Sequence, residues 1–92
     1  MVRFEWDEEK AEESLKKHHV AFEQGQQVFD DPMAVPFEDL EHSTAGETRY
    51  AMIGMSSIGL LFVSFTYRED TIRLISTRRA KRWMVKIYED EK

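Results

Sequence analysis

The chain has 92 residues, of which 41% are hydrophobic and 34% charged, with a formal net charge of -5 and no cysteine. That length suits one small domain, residues 1–92, which buries roughly 60–65% of its unfolded surface, and its composition is that of a folded soluble protein rather than a disordered one. Disulfides, thiolate metal sites and a cysteine nucleophile are excluded, and an acidic total excludes a surface that binds nucleic acid everywhere, so any such site must be local.

Phe4-Glu-Trp6 alternates apolar and polar residues and reads as a short strand. Asp7 is placed to cap a helix from about Glu8 to His18, with Glu8 and Glu9 in its first turn and Lys16 and Lys17 at its negative end. Ala11, Leu15 and His18 form its thin inward stripe, which turns His18 toward protein. A second helix is expected over Ala21–Asp31, where Phe22, Gly25, Val28 and Phe29 share a side and Pro32 marks the end; Ala21 is a poor cap. Met33–Phe37 is extended, and Pro36 confines it to a sheet edge because it cannot donate to a ladder. Residues 38–47 read as a polar surface loop.

Three strand signals follow, Arg49–Met55, Leu60–Tyr67 and Thr71–Ser76, joined by turns at 56–59 and 68–70. Leu60-Leu-Phe-Val-Ser-Phe is apolar on both faces and is the expected central strand. Ser76 or Thr77 can cap a last helix with a core stripe of Ala80, Met84, Ile87 and Tyr88, Trp83 at its margin, and Arg78, Arg82 and Lys86 as a second stripe at spacing four. Arg78 and Arg79 would then sit in its first turn, and Glu89, Asp90 and Glu91 at its negative end, so both ends oppose the helix dipole. The expected architecture is α+β: two early helices on an antiparallel sheet, plus a terminal helix.

Charge is polarised along the chain. Residues 1–47 carry thirteen acidic and four basic side chains, residues 48–88 two acidic and eight basic. From Ile72 to Lys86 there are six basic residues and no acidic one. Arginine suits planar, bidentate contact with phosphate or carboxylate, so this run can hold an RNA backbone or an acidic partner; the plainer reading is a solvated helix face.

Phe4-Glu-Trp-Asp7, Lys10, Lys17-His18-x-Val20-x-Phe22-Glu23, Val28-Phe-Asp-Asp-Pro32, Glu47-x-Arg49, Gly54 and Ile72-Arg-Leu-Ile-Ser-Thr-Arg-Arg-Ala80 occur in order along nearly the whole chain. In this set the chain resembles the BrnT-type toxins of bacterial type II toxin–antitoxin systems. The resemblance implies a compact RelE-like fold, a metal-independent ribonuclease that blocks translation without a cofactor, and neutralisation in a hetero-oligomer with a DNA-binding BrnA-type antitoxin. Two positions depart from the pattern: the family usually has Lys-His-Gly where this chain has Lys17-His18-His19, and Ser or Thr where it has Ala21.

Cleavage of RNA by its own 2′-hydroxyl needs a base for that proton, cations for the charged phosphorane and an acid for the leaving 5′-oxygen. The candidate catalytic residues are His18, the one family-matched group that titrates near neutrality, with Arg68, Arg73 and Arg78 as cations. Lys17, Arg49, Arg79 and Arg82 are the candidate RNA-binding residues. His18 reads equally as a helix-end structural histidine. Glu47 reads as the ion-pair partner of Arg49, with a base role as the alternative, and Tyr67 as packing at a strand end. His18, His19 and His42 lack metal-ligand spacing, so no metal is expected. A non-catalytic module that binds an acidic antitoxin segment through the same arginines is the competing function. No window reaches the ~18 apolar residues of a membrane span, and the first seven residues lack the apolar core of a signal peptide, so a cytoplasmic location is expected.

Overall fold

The computed structural model describes residues 2–90; Glu91, expected at the last helix's negative end, lies outside them. Strand β1 spans Arg3–Glu5. The Asp7 carboxylate then accepts the N–H of Glu9 at 2.9 Å and of Lys10 at 3.4 Å, opening helix α1, Glu8–His18. Of the expected inward stripe of α1, Ala11 packs against the core, but Leu15 and His18 do not. Leu15 is 51% exposed and His18 is exposed as well, whereas Ser14 is buried. Its hydroxyl donates to the carbonyls of Thr77 at 3.0 Å and Val20 at 3.4 Å. A helix so poor in apolar residues lies close to the sheet through small side chains, and a hydroxyl at that approach has a partner.

Helix α1 ends where His19 adopts the left-handed conformation, φ 57° and ψ 33°, with its N–H bonded to the Leu15 carbonyl. Glycine takes this geometry without steric cost, which accounts for the glycine that the resemblance pairs with position 19. Helix α2 is shorter than expected, Phe22–Gln27, and is continued by a 3-10 turn over Val28–Asp30. Ala21 offers no side-chain cap; the Gln24 amide oxygen instead accepts the Ala21 N–H at 2.9 Å.

The remaining strands are β2 (Val35–Glu38), β3 (Arg49–Ser56), β4 (Gly59–Arg68) and β5 (Thr71–Arg79). They form one five-stranded sheet in the order β1-β5-β4-β3-β2. Neighbours are antiparallel except β1, which lies parallel to β5 and makes the sheet mixed. β4 is central, as its two-sided apolar run requires, and the proline-bearing β2 is an edge.

The largest departure from expectation is at residues 76–79. Ser76 and Thr77 do not cap a helix, and Arg78 and Arg79 are not in a first helical turn: β5 continues to Arg79, paired with Leu61 of the ten-residue β4. The register shifts by one residue, with Phe65 opposite Leu74 and Ser64 opposite Ser76. Ile75 is therefore the extra residue of a β-bulge, which breaks the period of two. Beyond it, Thr77 joins Leu74 on the helix-covered face and Ser76 and Arg78 take the opposite one. Helix α3 starts later, Arg82–Asp90, so the expected Arg78/Arg82/Lys86 stripe does not exist.

Helices α1 and α2 cover one face of the sheet, over a core of Val20, Phe22, Val28, Leu61, Val63, Phe65 and Leu74. On the other face α3 packs Met84 and Tyr88 against Ile53, with Val35, Leu60, Phe62, Ala80 and Ile87 around them. Met84 and Tyr88 were expected on its core stripe, and Trp83 is indeed marginal, exposed at its first turn. Because α3 sits at one end of this face, the rest stays open.

The Tyr88 hydroxyl donates to the Asp31 carboxylate at 2.8 Å, which also accepts the N–H groups of Met55 at 2.8 Å and Met33 at 2.9 Å. That hydrogen bond, then burial and the Asp31 charge, raise the Tyr88 pKa. A group whose pKa is raised by folding adds stability that is complete below its unfolded pKa, about 10 for tyrosine, and lost as pH rises through the folded value. Tyr88→Phe is expected to cost about 1.5–3 kcal/mol at neutral pH and to weaken the alkaline fall in stability. Melts at neutral and strongly alkaline pH measure both; an identical alkaline decline in the two proteins would assign it to other groups.

Candidate functional site

The open part of the sheet face is a groove of about 450 Å³. Its floor follows from strand register. Arg49, Thr66 and Arg73 lie side by side across β3, β4 and β5; Ala51, Ser64 and Ser76 form the next row; Ile53, Phe62 and Arg78 the third. Of these, Arg49, Ser64, Ser76, Phe62 and Arg78 line the groove. His18 borders it from the end of α1, Phe37 from β2, and Asp39, Glu41 and His42 from the loop after β2.

Arg78 is half-buried with its guanidinium carbon 5.1 Å from the centre of the Phe62 ring. Among the described residues no acidic side chain pairs with it, so its hydrogen-bonding edge is available to an anion. Arg49 forms the expected pair with Glu47, Nε to Oε1 at 3.0 Å. Glu47 also meets Arg68 at 3.8 Å, so one carboxylate serves two arginines and the cluster keeps net positive charge.

The loop over residues 39–48 is fastened to Arg49. The Asp39 N–H donates to the Arg49 carbonyl at 2.8 Å, the Ser43 hydroxyl donates to the Asp39 carbonyl at 2.7 Å, and that hydroxyl accepts the Arg49 N–H at 2.8 Å. Asp39 caps a 3-10 turn over Leu40–His42. Its Oδ2 accepts from the His42 ring Nδ1 at 2.8 Å, and its Oδ1 from the His42 backbone N–H at 3.3 Å.

The other candidates lie elsewhere. Arg68, at the end of β4, lines a separate depression with Gly46, Thr48, Tyr50 and Tyr67. Tyr67 packs there edge-on against Tyr50, ring centres 5.3 Å apart. Arg73 shares the row of Arg49 but is bound to Glu5 at 2.7 Å. Lys17 lines a shallow hollow along α1 that meets the groove at His18, Ile75 and Ser76. Arg79 lies on the helix-covered side and donates to the Ile58 carbonyl at 3.0 Å, and Arg82 is exposed at the start of α3. The structure thus brings His18, Arg49 and Arg78 to one groove, whose lining does not include Arg68, Arg73, Arg79, Arg82 or Lys17. It adds Asp39, His42, Ser64 and Ser76. Asp39-x-x-His42 was the legible signal among these, since an aspartate that caps a helical turn accepts the N–H three residues on; the serines announce nothing until register aligns them.

Fold and site define a small α+β protein with an open groove lined by two arginines, two histidines and two carboxylates. A family model described as "Ribonuclease toxin, BrnT, of type II toxin-antitoxin system" matches residues 6–83, and the chain belongs to that family. No curated protein matches it. The matched span contains every groove residue named above. Membership in such a family implies an antitoxin partner and an RNA target. No helix among the described residues is long and apolar enough to cross a membrane, and none of their acidic and histidine side chains form a group of three that could hold a metal ion.

Proposed function

We propose that residues 1–92 act as a single toxin domain, a cytoplasmic endoribonuclease that cuts RNA in the groove between α1 and the 39–48 loop. Its reaction is carried by side chains without a metal and blocks translation, and a BrnA-type DNA-binding antitoxin neutralises it. The observation that carries this reading is the placement of Arg49 and Arg78 on the two strands that flank β4, on one groove floor, with His18 at its border. Arg78 and Arg49 hold the scissile phosphate and stabilise the charge that develops as the 2′-oxygen attacks. His18 exchanges a proton with the reacting oxygens. Ser64 and Ser76 supply hydroxyls beneath the phosphate.

The test is induced expression of the chain alone, followed by purified protein on single-stranded RNA with EDTA present. Growth arrest, fragmented cellular RNA and EDTA-resistant cleavage in vitro are expected. Soluble, folded protein that leaves cells growing and RNA intact would favour the competing role, a binding module that engages its antitoxin without cutting RNA.

A further inference from the structure

We propose that His42 is the general base of the cleavage step and Asp39 its positioning residue, an inference that rests on reading the groove as an RNA-cleaving site. Both histidines border the groove that holds Arg49 and Arg78. His42 projects into solvent, its side chain 63% exposed, while Asp39 behind it is 21% exposed. A carboxylate only accepts, so the 2.8 Å contact requires the proton of the neutral ring on Nδ1. That leaves Nε2 as the lone-pair nitrogen, on the ring side away from Asp39. The orientation is held at three levels. Asp39 grips both ring and backbone of His42; Ser43 ties the loop to Asp39; and the same Ser43 hydroxyl accepts the Arg49 N–H. The base is thereby coupled through backbone to an arginine of the phosphate site, the kind of supported placement that proton transfer requires.

With His42 as base, the step balances without an outside reagent. Nε2 of His42 takes the 2′-hydroxyl proton as that oxygen bonds to phosphorus. The bond from phosphorus to the 5′-oxygen breaks, and protonated His18 supplies the proton the leaving oxygen takes up. The products are a 2′,3′-cyclic phosphate and a 5′-hydroxyl, and exchange with water resets both rings. This division of roles also places a second histidine in the site, which the family-matched motifs alone do not contain.

The experiment compares two substrates with the purified chain: a single-stranded RNA, and the same RNA with sulfur replacing the bridging 5′-oxygen at one linkage. The sulfur leaves without needing a proton, so it bypasses the acid but not the base. His42→Ala is expected to slow cleavage of both substrates by about 100-fold or more, while His18→Ala slows the oxygen substrate and regains its rate on the sulfur one. Asp39→Asn keeps a capping oxygen for the turn but loses the charge behind the ring; it is expected to lower kcat and leave binding of the uncleavable 2′-deoxy strand unchanged. His42→Gln provides a second variant should alanine loosen the loop, and binding of the 2′-deoxy strand certifies the fold of each. If His42→Ala cleaves the oxygen substrate like wild type, or is rescued by sulfur, the assignment of the base is overturned while the ribonuclease reading stands. If wild-type protein leaves both substrates intact, both readings fall together.

Discussion

Arg78→Ala is expected to lower RNA cleavage by about 100- to 1,000-fold, the usual loss when one preorganised donor to a developing charge is removed. The expectation rests on position. Arg78 stands on the groove floor with its guanidinium 5.1 Å over Phe62, and no acidic side chain among the described residues competes for it. Its structural contribution is a stacking contact worth between about 0.5 and 2 kcal/mol at this half-buried site, so the protein should stay folded with a modestly lowered melt. Arg78→Lys keeps the charge and loses both the planar fork and the stack, and should fall between the two. Arg79→Ala is the informative companion, because strand alternation puts neighbouring arginines on opposite faces. A loss confined to Arg78 locates the effect in the groove; equal losses in both would assign it to general positive charge.

Gly54→Val is expected to be the most destabilising single change in the sheet, by about 3 kcal/mol or more, which in a domain of this size lowers the melting temperature by roughly 10 °C or more. A Cβ at Gly54 would lie 2.5 Å from Cγ1 of Val28 and 3.1 Å from Cβ of Ala34. Val28 is fully buried, so it has nowhere to yield in a packed interior. Loss of soluble protein, or a melt lowered by that amount, checks the expectation; a melt within a degree or two of wild type would mean the 3-10 turn after α2 shifts freely. Gly54 belongs to the ordered set by which the chain resembles its family, and the close crossing of β3 by that turn gives the physical reason for a glycine there.

Most of the architecture was legible because its signals are strong and local. Asp7 before a charged run, Pro32 and Pro36 after apolar ones, and the two-sided apolar content of residues 60–65 each admit few readings. The errors sit where two physical rules competed. At Ser76-Thr77 the residues are good caps and the next four continue a helical spacing, yet pairing with the long β4 offers each backbone group a ladder partner and wins. The Ile75 bulge hid this by breaking the alternation on which strand reading depends. At α1, hydropathy placed Leu15 inward, but the close approach to β5 admits Ser14, and hydropathy does not register a serine with a buried partner. The site was legible only in part for a related reason. His18, Arg49 and Arg78 carry chemistry that sequence can flag, whereas the joint placement of His42 and Ser64 with them depends on register and on a loop pinned from residue 49. Arg68 and Arg73 looked equivalent to Arg78 in the sequence; their carboxylate partners, Glu47 and Glu5, come from distant positions.

The bulge at Ile75 makes the chemistry of this groove a matter of counting. Every residue of β5 beyond it owes its face to one supernumerary amino acid, so ironing the bulge flat at constant length, with Ile75 paired to Ser64, would exchange the two inventories. Thr77 would turn outward into the groove, and an arginine would be driven beneath α2, where even a methyl at Gly25 meets Thr77 Oγ1 at 2.7 Å. A substitution at Ile75 that keeps the bulge therefore leaves the groove's inventory as it is, whereas one that lets residue 75 join the regular ladder rewrites it without touching a groove residue.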